Sequence, residues 1–387
     1  MIRQVGYCTN VHAGADLDST RANLAEHALA VKELVSPDTP IGVGLWLSAS
    51  AARKLLATNG VADFASWLAE VGLVPFTLNG FPYGDFHKDV VKYDVYRPTW
   101  CDPQRLQYTL DLIEILDALL PEGMEGSIST LPLIWGNPSP NAAQLAACAE
   151  NLTKVCERLS RLEAERGRLI YVCLEPEPGC VLQRSDDVVR FFKEHLLPHV
   201  ERQDVCRYLR VCHDICHAAV MFEEQDEALR RYRSAGIAVG KVQVSSAVVL
   251  PLDRIPRDER PAAIEQLRGF AEDRYLHQTM VRQSPNAPPV FFEDLPKAVE
   301  SVEGSTAPAG EWRVHFHVPI YLERFGLLET TMPQILQCLQ AAKDFSGLVH
   351  FEAETYAWGV LPKRLQQPKL ADGIAAELKW LRDQFSP

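Results

Sequence analysis

The sequence predicts a closed (β/α)8 barrel carrying a long insertion before its last strand. Three observations predict it. Short runs rich in β-branched and aromatic residues alternate with longer amphipathic stretches about eight times along 387 residues. No Gly-x-Gly-x-x-Gly follows the first run and no phosphate-binding loop occurs, which weakens an open nucleotide-binding sheet. Polar and ionisable residues recur at the C-terminal ends of the runs: Asn10, His12, Asn79, Glu175, Asp214, Gln243 and Glu352. Barrels build their active sites there from many strands, whereas open sheets use that edge mainly near a switch point.

The expected barrel strands are 5–12, 41–48, 74–80, 126–132, 170–178, 209–214, 239–246 and 348–356. Four helices are explicit between them. The stretch 20–35 places Leu24, Ala28, Val31 and Val35 on one face, and 103–120 does the same with Leu106, Leu110 and Ile113. The stretch 142–167 ends at Gly167, a natural C-cap, and 186–200 is the fourth. Residues 247–347 break the rhythm. They hold a Pro-rich charged segment, a helical run at 262–278 and a strand-like run at 312–321. The chain is expected to be one barrel domain over 1–387, with 247–311 an insertion that lids the site; the run 312–321 fits either the insertion or the barrel.

The charge balance, 39 Lys+Arg against 51 Asp+Glu, gives a net charge of −12, and no basic run is present. Nucleic-acid binding depends on clustered Lys and Arg and is not expected. No run of about 18 apolar residues occurs, so no membrane insertion is expected. The N-terminus, MIRQVGYCTNVHAG, lacks an apolar signal core and reads as a first strand. Ten cysteines without framework spacing fit free thiols, Cys148 and Cys156 among them, in a cytoplasmic protein.

Strand geometry then groups the chemistry. Residues i and i+2 share a face, so Glu175 pairs with Glu177, Glu352 with Glu354, His315 with His317, and Gln243 with Ser245. Paired carboxylates turned into a barrel are costly unless protons or a cation compensate them, and a divalent metal is the simplest compensation. The segment VCHDICH (211–217) has two readings. As a soft cluster, Cys212, His213, Cys216 and His217 would bind a structural zinc. As a strand and its exit turn, it delivers Asp214 to a metal and His217 to a substrate; the absence of a second knuckle favours this reading.

Asp214-Ile-Cys-His217 resembles the Asp-x-x-His element after the sixth strand of xylose-isomerase-like barrels. In order, residue type and strand position, Glu175, Asp214, Gln243 and Glu352 match the metal ligands of the isomerase and epimerase branches. A fuller resemblance is to the EboE family of metabolite-traffic proteins. It rests on GYCTNVHAG (6–14), FTLNGFPYGDFH (76–87), DVYRPTW (94–100), EGSISTLPL (125–133), LEPEPG (174–179), KVQVSSA (241–247), WRVHFHVPI (312–320) and FEAETYAWGVLP (351–362).

The resemblance implies an enzyme of secondary metabolism. Its chemistry would be metal-dependent isomerisation or epimerisation of a sugar- or cyclitol-like metabolite, alongside other proteins of a metabolite-traffic gene cluster. It assigns Glu175 and Glu352 both ligation and proton transfer, Asp214 and Gln243 ligation, and His217 a substrate oxygen. Oxygen-rich ligation suits Mg2+ or Mn2+, and the nearby imidazoles suit Zn2+. Asn79 in the aromatic block 79–87, Glu177, Glu354, His315 and His317 are further substrate contacts; the acidic and histidine extras could instead build a second metal position. Two rivals stand beside the isomerase: a carrier that binds without turnover, and a multi-metal phosphoester hydrolase.

Overall fold

The computed structural model describes residues 3–58, 60–198, 201–302, 308–345 and 347–385. Eight parallel strands close into a barrel. They are β1 (Gln4–Cys8), β2 (Ile41–Trp46), β3 (Leu73–Asn79), β4 (Gly126–Thr130), β5 (Ile170–Leu174), β6 (Leu209–Asp214), β7 (Val239–Val244) and β14 (His350–Ala353). Closure comes where β1 pairs with β14, Gly6 opposite Glu352. Each expected strand run overlaps one of the eight, with β1 and β3 beginning one residue earlier than expected. The outer faces of the strands (Val172, Val211, Val242, Val244 and Phe351) are fully buried beneath the helices.

The helices follow the periodicity with three departures. Pro103–Leu119 and Ala142–Arg166 form as expected, the second ending at Gly167 with φ +66°. The stretch 17–35 is helical throughout but passes through a π-helical turn at Leu24–Ala28. The helix starting at Ser185 also turns π-helical, at Phe192–Leu196, and the last two residues of its expected run, 199 and 200, lie outside the described residues. The run expected at 262–278 stops at Arg268, before Gly269. All ten cysteines are free thiols, and Cys148 and Cys156 are buried on their helix.

Between β7 and β14 the chain builds a second, antiparallel sheet. Its strands are β8 (Val248–Pro251), β9 (Thr279–Arg282), β10 (Val290–Phe292), β11 (Glu311–Val314), β12 (Arg324–Phe325) and β13 (Leu328–Thr330), in the order β10-β9-β11-β8-β13-β12. The strand-like run at 312–321 therefore pairs with β8 and β9 rather than entering the barrel. Beyond β11 the chain folds over the barrel mouth: His315 N–H donates to the Gln278 carbonyl (2.9 Å) and Val318 N–H to the Ser246 carbonyl (3.0 Å). This delivers His315 and His317 to the C-terminal end of β7.

The barrel interior is polar and arranged in layers. At the floor, Ser127 of β4 bonds across the axis to His350 of β14 (Oγ to Nδ1, 2.8 Å) and donates to Thr77 of β3 (2.7 Å). Arg210 stacks 3.6 Å from the Tyr171 ring centroid. Above the floor sits an ion pair, Lys241 Nζ to Glu352 Oε2 at 2.5 Å, with both side chains fully buried. Burial works against the Lys241 charge. Glu352, helped by the thiols of Cys212 and Cys8, nonetheless holds its pKa above the ordinary lysine value. Gly44 of β2 makes room for the pair: a Cβ there would lie 1.2 Å from Glu352 Oε1.

Removing one partner of a buried pair strands the other charge, a loss of about 3–5 kcal/mol, whereas replacing both is far milder. Lys241→Met is expected to lower stability by about that amount. Lys241→Met with Glu352→Gln is expected to recover most of it. Urea unfolding midpoints of the two variants check this, and equal midpoints would contradict it.

Candidate metal centre

Four strand ends meet above the ion pair. After β5 the chain leaves through Glu175-Pro176-Glu177, with Glu175 N–H donating to the Thr130 carbonyl (3.0 Å). After β6, Asp214 caps the next helix, Ile215–Val220. Its Oδ1 accepts from His217 N–H (2.9 Å) and from the Ser245 hydroxyl (2.8 Å), while Oδ2 is left without a partner. The Asp-x-x-His spacing is thus a capping turn that aims one carboxylate oxygen into the mouth and sets His217 one turn further on. After β14, Glu354 N–H donates to the Val244 carbonyl (3.0 Å), and its Oε1 accepts from Asn10 (2.8 Å) and Asn79 (3.1 Å).

The carboxylates of Glu175, Asp214 and Glu354 converge: one oxygen from each lies within 4.8 Å of the other two. Glu352 is not among them. It lies one pleat below, held by Lys241, and Glu354 takes the place beside Glu175 and Asp214 that the sequence reading gave to Glu352. The physical reason is the lysine. Lys241 is inward on β7, two residues before Gln243, and its ammonium reaches Glu352, which lies opposite Gln243 on β14. An inward Lys on a strand next to two inward Glu residues was the available signal. Gln243 is fully buried beneath the triad with neither amide atom partnered.

Over the triad stand His217, His315 and His317, all buried, with Glu177 beside them. Each imidazole is oriented through Nδ1: His217 to the Pro176 carbonyl (2.8 Å), His315 to Gln278 Oε1 (2.8 Å) and His317 to the Glu354 carbonyl (2.7 Å). Tyr96 and Gln278 both donate to Glu177 Oε1, at 2.5 and 2.9 Å. Tyr96, Gln278 and Lys241 were not singled out from sequence, because their roles depend on contacts across 80 residues or more.

The same pocket takes in Asn79, Phe81, Pro82, Phe86, Tyr275 and Tyr356 around a cavity of about 60 Å3, the space of a few waters. The aromatic block is pinned from behind by Arg105, which donates to the carbonyls of Gly80 (2.8 Å), Phe81 (3.0 Å) and Pro98 (2.9 Å). The four-residue soft cluster does not form. Cys212 packs inside the barrel against Tyr171 and Cys173, and His213 faces outward to Gln225 (2.7 Å).

Electrostatics follow from burial. Burial, reinforced by Glu354 and Asp214, raises the Glu175 carboxyl well above the usual range; burial and then Asp214 do the same to Glu354. Burial raises Asp214 too. Glu177 is pushed up to about 8, again by burial, against the pull of the Tyr96 and Gln278 hydrogen bonds. Burial lowers His217 to about 3 and His317 to about 4, and holds His315 well below its ordinary value. Neutral imidazoles and charge-starved carboxylates with unpartnered oxygens are the donor set a divalent cation requires, so the residues fit a metal.

No protein-family model matches the chain, and no curated protein matches it. Solved structures resemble it in chain path. The probable 3-DHS dehydratase AsbF, involved in petrobactin synthesis, from Bacillus anthracis shares 12% identity at a TM-score of 0.46, covering 98% of each chain. The IOLI protein with a binding zinc atom shares 12% at 0.49, covering 98% of this chain and 97% of its own. A xylose isomerase-like TIM barrel protein from Mycobacterium smegmatis in complex with magnesium shares 11% at 0.47, covering 99% and 98%. Likeness at this level carries no chemistry, which rests on the residues themselves. Among the described residues no helix is long and apolar enough to cross a membrane.

The shifts set a pH dependence for the metal-free protein. A carboxyl whose pKa is raised on folding stabilises the fold fully below its unfolded value and loses that contribution as pH rises through the folded value. The depressed imidazoles work oppositely, but only below the ordinary histidine value of 6.5. Above 6.5 the carboxylate slope stands alone and runs to about 8. The melting temperature of chelator-treated protein is expected to fall between pH 6.5 and 8 and to recover on adding Mn2+ or Zn2+. Thermal melts at fixed ionic strength check this; a flat or rising profile contradicts it.

Proposed function

We propose that this chain is a divalent-metal-dependent isomerase or epimerase of a sugar- or cyclitol-like metabolite, working in the secondary-metabolite setting that the EboE resemblance implies. The observation that carries this reading is the convergence of Glu175, Asp214 and Glu354 at the barrel mouth, with unpartnered oxygens on Glu175 and Asp214. These three would hold the ion, with Gln243 beneath them, and the oxygen-rich set suits Mg2+ or Mn2+. When bound, the ion supplies Lewis acidity that polarises adjacent oxygens of a hydroxy-carbonyl compound and acidifies the neighbouring C–H.

The protein's own groups do the rest. Glu175 and Glu354 face each other from β5 and β14, and one can take the carbon-bound proton while the other returns it. Asn10 and Asn79 fix the Glu354 carboxylate by donating to one oxygen, which leaves its second oxygen for chemistry. His217, its Nδ1 tied to the Pro176 carbonyl, presents Nε2 to a ligand oxygen. The aromatic roof of Phe81, Phe86, Tyr275 and Tyr356 covers the carbon skeleton and keeps bulk water from the exchanging proton.

The test is exchange of a carbon-bound hydrogen. Incubation in deuterated water with Mg2+ and a panel of ketoses and inososes is expected to incorporate deuterium, read by mass spectrometry. Glu175→Gln or Glu354→Gln should slow incorporation by about 100-fold or more. Glu175→Gln and Asp214→Asn should also lower bound metal, while a folded Glu352→Gln variant should keep it. Metal bound at full occupancy with no exchange on any compound would leave the carrier reading standing and overturn this one.

A further inference from the structure

We infer that Cys101 and Cys148 form an oxidation site, at which a hydroperoxide reacts with Cys101 and Cys148 then closes an intramolecular disulfide. The two Sγ atoms lie 3.5 Å apart. A disulfide of about 2.05 Å requires each sulfur to move by only about 0.7 Å. Cys101 is half-buried, whereas Cys148 is fully buried. One thiol of the pair is therefore open to solvent, and the other is reached through its neighbour. Neither lines the mouth, so the inference stands apart from the metal-dependent reading.

The contact is set by the way the chain enters the helix Pro103–Leu119. Just before it, Asp102 Oδ2 accepts from the Thr99 amide and the Thr99 hydroxyl, both at 2.7 Å, and closes a tight turn. The turn presents Trp100 and Cys101 to the helix Ala142–Arg166. On that helix Gln144, Cys148 and Asn151 stand at i, i+4 and i+7, on one face. The Cys101 thiol donates to the Gln144 carbonyl (3.3 Å), and Asn151 Nδ2 donates to the Trp100 carbonyl (2.8 Å). Trp100 is itself fully buried, with its N–H on the Leu133 carbonyl (3.0 Å). The Cys101 sulfur is thus held against Cys148 by fixed points on both sides.

The chemistry balances in two steps. Cys101 sulfur attacks one oxygen of the peroxide; the O–O bond breaks, giving a sulfenic acid and, from hydrogen peroxide, water. The Cys148 sulfur then forms the S–S bond, and the sulfenic oxygen leaves with the Cys148 proton as a second water. The two thiols supply the two electrons that reduce the peroxide. Burial, and after it the Cys101 sulfur, raises the Cys148 thiol above its ordinary range. A buried thiol of that kind reacts poorly with a free oxidant, so Cys148 waits for a sulfenic acid already in contact with it. The bond would tie the entry to the helix Pro103–Leu119, whose Arg105 braces the aromatic block, to the helix Ala142–Arg166.

The test treats reduced full-length protein with hydrogen peroxide. Free thiols are then counted by maleimide labelling under denaturation, and crosslinked peptides are mapped by mass spectrometry. The ten thiols are expected to fall by two, with Cys101 joined to Cys148, and dithiothreitol should restore them. The oxidised protein should melt higher by about 5 °C, because the bond constrains the unfolded chain between the two positions. Cys101→Ser should keep its remaining thiols, and Cys148→Ala should leave a sulfenic acid on Cys101 that dimedone traps. The half-exposed position 101 tolerates serine, so Cys101→Ser carries the test if Cys148→Ala fails to fold. Thiols unchanged under peroxide that consumes free glutathione, a crosslink elsewhere in the chain, or sulfinic acid on Cys101 without a crosslink would each overturn the inference. So would a crosslinked protein that melts lower than the reduced one.

Discussion

Uncompensated negative charge governs this molecule. Five inward carboxylates (Glu175, Glu177, Asp214, Glu352 and Glu354) crowd one end of a barrel from which water is largely excluded. Only Glu352 has a fixed cation against it. Three of the other four receive hydrogen bonds from the protein: two asparagines on Glu354, a tyrosine and a glutamine on Glu177, a serine and a backbone amide on Asp214. Hydrogen bonds orient charge without neutralising it, so protons or ions must complete the balance. That requirement explains why the pKa values of Glu175, Glu177, Asp214 and Glu354 rise together, and why the open oxygens of Glu175 and Asp214 point to one place.

The ion pair beneath has a different part. Lys241 is committed to Glu352 and lies too deep to serve as a ligand-binding group. Its field still reaches Glu175 and Glu354 and opposes the rise in their pKa values. The barrel therefore has a neutral, rigid floor and an electron-rich mouth, joined by strands that carry both. Rigidity below and unsatisfied donors above are what a preorganised metal site needs.

Much of this was legible in the sequence. Eight strand runs, their polar C-terminal ends and the Asp-x-x-His turn follow from local periodicity and spacing, and the structure places all eight strands in one closed barrel. Which of Glu352 and Glu354 stands beside Glu175 and Asp214 was not legible from parity alone, because both face inward; the pairing of Glu352 with Lys241 distinguishes them. The histidine pair was visible as an i, i+2 motif, yet its destination was not. His315 and His317 reach the mouth only because β11 belongs to a separate sheet, pairing with β8 and β9 far back along the chain, Glu311 opposite both Pro251 and Arg282. Tyr96 and Gln278 join the site through similarly distant contacts.

Gly44 shows how tightly this interior is interlocked. A side chain at position 44 and a carboxylate at 352 compete for one volume, and without that carboxylate Lys241 has no counterion at its level. None of the three positions can drift alone. Across relatives of this chain, Gly44, Lys241 and Glu352 should be inherited as a unit or replaced as a unit. Such concerted change would mark, from sequences alone, which relatives kept the charged floor and which rebuilt it as an apolar one.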